Sequence, residues 1–133
     1  MIEITRAHQF PFEAFVQLKK QASLKERDHL ETLEKNWQLN IQQFQKTGEG
    51  LFLLKKNDQL MGIGSLEWSP FVPPTAGIGL LRNCYLIPSE RGRSYGLLLY
   101  RHIVRYAQRH FGLLQLEDDC PMKNSNEKLI ELD

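Results

Sequence analysis

This 133-residue sequence predicts an α+β (three-layer α/β) architecture, with elements in the order β–α–α–β–β–β–α–β–α. Three observations carry that prediction. The apolar run Leu80, Leu81, Cys84, Tyr85, Leu86 and Ile87 stops at Pro88, and helical spacing begins at Leu97 after a short polar loop. A second stripe, Leu30, Leu33, Trp37, Ile41 and Phe44, recurs at steps of three and four, as one face of a helix does. Between the two, Asn57-Asp58 separates a pair of strand-like segments as a hairpin turn would.

The elements follow in order. Met1 to Thr5 alternates like a first strand, and Pro11, Phe12, Phe15, Val16 and Leu18 predict a short helix with proline in its opening turn. Asp28-His29-Leu30-Glu31 reads as a capping box, with Asp28 as N-cap and Glu31 reaching back. The second helix then extends to about Lys46, and Gly48 and Gly50 break it. Leu51 to Lys55 and Gln59 to Trp68 are the hairpin strands, and a proline-rich loop from Ser69 to Ala76 leads to the fourth strand. The third helix spans Leu97 to His110, with Leu99, Ile103 and Tyr106 on one stripe and Arg101, Arg105 and Arg109 opposite. Leu113 to Glu117 predicts a fifth strand, and Ser125 to Leu132 the start of a final helix.

Composition bounds the function. The length suits one domain over residues 1–133, and 41% hydrophobic with 25% charged residues is ordinary for a globular chain. A net charge of +1 gives no footprint for nucleic acid, so the arginines of the third helix read as a solvated face. No stretch approaches the roughly 20 apolar residues that cross a bilayer, and the opening Met-Ile-Glu-Ile-Thr-Arg lacks a signal-peptide core. Cys84 falls in a predicted strand and Cys120 in a loop, which argues against a disulfide and for a reducing cytoplasm. His8, His29, His102 and His110 are scattered without the spacing of metal ligands, so no metal is expected.

The chemistry concentrates between Pro88 and Leu97. A helix that begins there leaves its first backbone N–H groups without intrahelical acceptors. Gly92 and Gly96 admit close approach, and Arg91 and Arg93 add positive charge, so the junction suits a phosphate or pyrophosphate. The segment Arg91-Gly92-Arg93-Ser94-Tyr95-Gly96, preceded by Ile87-Pro88, resembles the acyl-CoA-binding pattern Arg/Gln-x-x-Gly-x-Gly/Ala of the GNAT superfamily of N-acetyltransferases. Ser94 stands where that family usually has glycine. If the position needs a left-handed backbone, serine costs about 1–2 kcal/mol; if it needs only closeness to phosphate, the hydroxyl supplies a bond, and this second reading is preferred.

The element order extends the resemblance over nearly the whole chain, and it implies a GNAT-like central mixed sheet lacking the usual C-terminal strands. It also implies acetyl-CoA as co-substrate, a primary amine as acceptor, and no metal. On that reading the cofactor-binding residues are Leu86, Ile87, Arg91, Gly92, Arg93, Ser94, Tyr95, Gly96 and Asn124, with the backbone of Leu86 or Ile87 polarising the thioester carbonyl. Glu117 is the first candidate for the base that takes the amine's proton, flanked by Asp118 and Asp119; a merely solvated strand end is the competing reading. Glu67 is a second candidate base, and Trp37, Trp68 and Phe71 are candidates for lining an acceptor pocket. The tyrosine that often protonates the departing thiolate in this family has no counterpart after the fifth strand. A fifth strand left at the sheet's edge implies a homo-oligomer, such as a dimer, formed through that open edge. The alternative is a non-catalytic acyl-CoA-binding or protein-interaction module of the same fold.

Overall fold

Asn57 and Asp58 both take left-handed backbone, with φ of 53° and 67°, as a two-residue hairpin turn requires when its twist must match the flanking strands. The turn joins β2 (Gly50–Lys56) to β3 (Gln59–Trp68) with Lys56 opposite Gln59. The computed structural model describes residues 1–117 and 129–132. Around the hairpin lie β1 (Ile2–Arg6), α1 (Phe12–Lys20), α2 (Leu24–Gln38), β4 (Ile78–Leu86), α3 (Tyr95–Ala107), β5 (Leu113–Leu116) and β6 (Leu129–Glu131). Single turns of 3-10 helix at Pro74–Ala76 and Pro88–Glu90 bracket β4.

The strands form a six-stranded sheet in the order β1-β2-β3-β4-β5-β6. Every pairing is antiparallel except β4 with β5, which are parallel because α3 carries the chain back between them. Alternation along β2 sorts the core into two layers. Leu51 and Leu53 pack with Phe15, Leu18, Leu30, Leu33 and Trp37 under α1 and α2, while Phe52 and Leu54 pack with Leu99, Ile103 and Ala107 under α3. Helices on both faces of a mixed sheet make the expected three layers.

Both boundaries of α2 differ from expectation. Helix α2 starts at Leu24, not after Asp28, because Ser23-x-x-Glu26 forms the capping box: Glu26 N–H donates to Ser23 Oγ at 3.2 Å and Ser23 N–H to Glu26 Oε1 at 2.9 Å. The helix also ends at Gln38, well short of Lys46. Asn40 and Phe44 turn left-handed, and Gln43 Nε2 donates to the Trp37 carbonyl at 3.0 Å. Phe44 is still buried in the layer under α1 and α2, so its side chain keeps the helical rhythm while its backbone has left the helix.

The largest correction concerns the last element. Leu129–Glu131 is a strand, not part of a helix, and it pairs antiparallel with β5, Leu114 opposite Ile130. The outer edge of β5 is therefore covered by the chain itself, and the open edge through which a homo-oligomer was expected to form is not there.

Candidate functional site

Strand β4 outruns its parallel neighbour. Pairing with β5 ends at Leu81 and Leu116, closed by a bond from Glu117 N–H to the Leu81 carbonyl at 3.1 Å. Beyond it, Arg82 to Leu86 pair with β3 alone among the described residues. A bulge at Asn83, whose φ is 59°, bends the strand there, pinned by Asn83 Nδ2 donating to Ser65 Oγ at 2.9 Å and Ser65 Oγ donating to the Arg82 carbonyl at 2.8 Å. The result is a cleft of about 640 Å³ where the two strands part. Tyr85, Ile63 and the first turns of α2 form one wall, and Cys84, Leu86 and the start of α3 form the other.

The polar loop lies at the mouth of this cleft. Arg91, Gly92, Ser94 and Gly96 all line it, and a side chain at Gly92, where φ is 82°, would meet nothing within 4 Å. Ser94 is the N-cap of α3 but makes no side-chain cap bond, and the first helical bond runs from Leu98 N–H to the Ser94 carbonyl at 3.1 Å. The N–H groups ahead of Leu98 thus have no acceptor within the helix. Ser94 adopts φ 68°, so the position does need a left-handed backbone, which corrects the preference for a merely close approach. Ser94→Gly is expected to stabilise the fold by about 0.5–1 kcal/mol, the relief of left-handed strain less the extra freedom of glycine in the unfolded chain. A denaturant titration checks this; a destabilised variant would contradict the backbone described.

Alternation fixes which β4 groups face the cleft. Ile87 N–H donates to the Met61 carbonyl at 2.9 Å and the Ile87 carbonyl accepts from Glu90 N–H at 3.0 Å. Both main-chain groups of Ile87 are therefore engaged and its side chain is buried, so it cannot polarise a ligand carbonyl. Leu86, one residue earlier, turns its backbone the other way. Its carbonyl accepts from Arg91 Nε at 2.8 Å, while Arg91 Nη2 reaches Glu26 Oε2 at 2.8 Å. The Arg91 guanidinium lies 5.5 Å from the Tyr85 ring centroid.

Electrostatics follow from these contacts. Burial opposes ionisation of Glu26, but the Ser23 N–H and the Arg91 guanidinium together hold its carboxyl below the usual range. The Tyr85 hydroxyl is buried without a hydrogen-bond partner among the described residues, and burial, reinforced by the Glu26 charge, pushes its ionisation up, so it remains a neutral donor. Arg93 stays exposed, 3.8 Å from Glu90 Oε2 and beyond hydrogen-bond reach.

Of the candidate bases, Glu117 lines the cleft at the end of β5, while Asp118, Asp119 and Asn124 lie outside the described residues. Glu67 is buried elsewhere, paired with Arg82 at 2.5 Å and accepting from Gln42 Nε2 at 2.6 Å. Nearby Glu49 is also buried, and burial raises its carboxyl, though the Trp68 N–H at 3.2 Å partly offsets that. Trp37 belongs to the core, Trp68 stacks edgewise on Phe111, and Phe71 is exposed; none lines the cleft. The α2 contribution of Ser23, Glu26 and His29 was missed, although the Ser23-x-x-Glu26 spacing was a readable signal.

Comparison with known proteins bears on this geometry. The model of the acetyltransferase (GNAT) family matches residues 9–131. A protein of Exiguobacterium sp. 255-15, provisionally described as an acetyltransferase, superposes with a TM-score of 0.81 at 20% identity, over 98% of this chain and 93% of that one. An acetyltransferase of the GNAT family from Staphylococcus aureus Mu50 gives 0.58 at 15% identity over 87% and 72% of the two chains. An N-acetyltransferase from the same strain gives 0.60 at 14% identity over the same shares. At such identities the superpositions speak for the fold. No curated protein matches the sequence.

Proposed function

The chain belongs to the acetyltransferase (GNAT) family and is a GNAT-type N-acetyltransferase, and from that premise we propose that the cleft between β4 and β5 binds acetyl-CoA and that Glu117 serves transfer of its acetyl group to a primary amine. One observation carries the reading: a strand edge unpaired among the described residues, an uncapped helix start and a carboxylate open onto the same cavity.

The residues present fit such a donor. Main-chain N–H groups from Gly92 to Leu97 are suited to a pyrophosphate, with Arg93 as a nearby exposed cation. Charge-assisted bonds contribute roughly 1.5–3 kcal/mol each, so three or four, less the entropy of association, are consistent with affinity near micromolar, about −8 kcal/mol. The amide-bearing arm of the donor would lie along the edge of Arg82 to Leu86 as an added strand does. Bound there, acetyl-CoA supplies the activated acyl group; the Leu86 N–H, facing the cleft, is the main-chain donor placed to polarise its carbonyl. Asn124 completes the proposed set from outside the described residues.

The acceptor amine must be neutral to attack, and an alkylammonium has a pKa of about 10.4. Glu117 is the carboxylate at the cleft that takes this proton, directly or through water. A thiol of pKa about 8.5 leaves as the anion at neutral pH without a dedicated acid.

Gly96→Glu tests the donor site by placing a carboxylate in the first turn of α3. We expect CoA affinity to fall at least about tenfold, or 1.4 kcal/mol, in calorimetry. Unchanged affinity would remove the pyrophosphate from this position. Thiol release from acetyl-CoA against a panel of amines reads out transfer, and tight CoA binding without release would favour the non-catalytic module.

A further inference from the structure

We propose that Glu26 is a positioning residue that competes with the donor's phosphates for the Arg91 guanidinium, and so sets when the Leu86 carbonyl is released to the donor's arm. The inference rests on the donor-site reading above.

Arg91 spans two elements that are distant in sequence. Its Nη2 holds Glu26 on the first turn of α2, and its Nε covers the carbonyl of Leu86 at the end of β4, both at 2.8 Å. That carbonyl lies on the edge of β4 that is unpaired among the described residues, where an amide-bearing arm adding as a strand needs an acceptor. Arg91 and such an arm cannot both take the same lone pair at full strength. A carbonyl oxygen has two lone pairs; an arm that takes the one to which Arg91 Nε now donates displaces the guanidinium.

The contacts make that shift feasible. The Arg91 and Glu26 side chains are 46% and 32% exposed, so solvent weakens their attraction. A pyrophosphate at the neighbouring N–H groups presents more charge and a second acceptor to the guanidinium, where Glu26 offers Arg91 a single oxygen. Glu26 keeps its second oxygen on the Ser23 N–H whichever way Arg91 turns, so α2 retains its cap through the exchange. Arg93 needs no such exchange, because its contact with Glu90 is already beyond bonding distance. The competition is therefore specific to Arg91.

A mutant cycle read by calorimetry with CoA, and repeated with inorganic pyrophosphate, tests it. Glutamine also serves at the third position of a capping box, so Glu26→Gln leaves the helix start intact. Glu26→Gln is expected to raise CoA affinity about three- to fivefold, the scale of a partly exposed ion pair, and to have no effect in an Arg91→Ala background. An equal gain in both backgrounds would mean simple removal of negative charge near the phosphates, and would overturn the proposal while leaving the donor site standing. No gain in the single variant would do the same. If the wild-type chain fails to bind CoA, the donor reading and this inference fall together. Should Arg91→Ala abolish measurable binding, the Arg91 Nε–H resonance decides: displacement on adding pyrophosphate to the wild type supports exchange, and an unmoved signal refutes it.

Discussion

Glu117→Gln is expected to lower kcat for acetyl transfer by about 10²–10⁴-fold, the usual contribution of a positioned general base, while leaving calorimetric affinity for CoA unchanged. The expectation follows from place. Glu117 sits where β5 leaves β4, with its N–H bonded to the Leu81 carbonyl at 3.1 Å and its residue lining the cleft. Glutamine preserves the size of the side chain and the backbone bond but cannot accept a proton from an ammonium. The defect should shrink as pH rises toward the acceptor's own pKa, about 10.4 for a simple amine, because the nucleophile then needs no base. Thiol release followed across pH measures both features. A variant with unaltered kcat at neutral pH would return Glu117 to the status of a solvated strand end.

Ile103→Ala carries the second large effect, a loss of about 2–5 kcal/mol in stability. Ile103 is fully buried on α3, and its Cδ1 lies 2.8 Å from where a Cβ on Gly64 would stand. Glycine on β3 thus makes the recess that the isoleucine fills. Emptying it leaves a cavity between α3 and the sheet, and β3 cannot collapse into it while hydrogen-bonded on both edges to β2 and β4. The same helix presents the N–H groups proposed to hold pyrophosphate, so the loss should also be felt as weaker CoA binding. Leu98→Ala, on the exposed face at 44% accessibility, serves as the control and should stay within about 0.5 kcal/mol. Chemical denaturation compares the two; a loss under about 1 kcal/mol for Ile103→Ala would mean that α3 is not seated as described.

Much of the fold was legible before the structure. The Asn57-Asp58 turn, the α2 stripe as far as Trp37, the α3 stripe and the stop at Pro88 each depend on neighbouring residues, and each is present, whereas Ile41 lies beyond the end of α2 and is exposed. The errors share a cause. Two capping boxes compete within nine residues, Ser23 to Glu26 and Asp28 to Glu31, and spacing alone does not rank them. Phe44 carries helical rhythm into a loop because burial governs where a side chain goes, whatever path the backbone takes. Ile87 looked equal to Leu86 as a ligand donor until strand register turned its N–H to Met61.

From the linear chain came the order of the first eight elements, the three-layer architecture and the polar loop that opens α3, since these rest on local geometry and on the period of apolar residues. Tertiary packing alone settled the parting of β4 from β5, the cover of β5 by β6 and the reach of Arg91 to Glu26, 65 residues away. Contacts of that kind depend on how finished elements dock, and no periodicity along the chain encodes the distance between them.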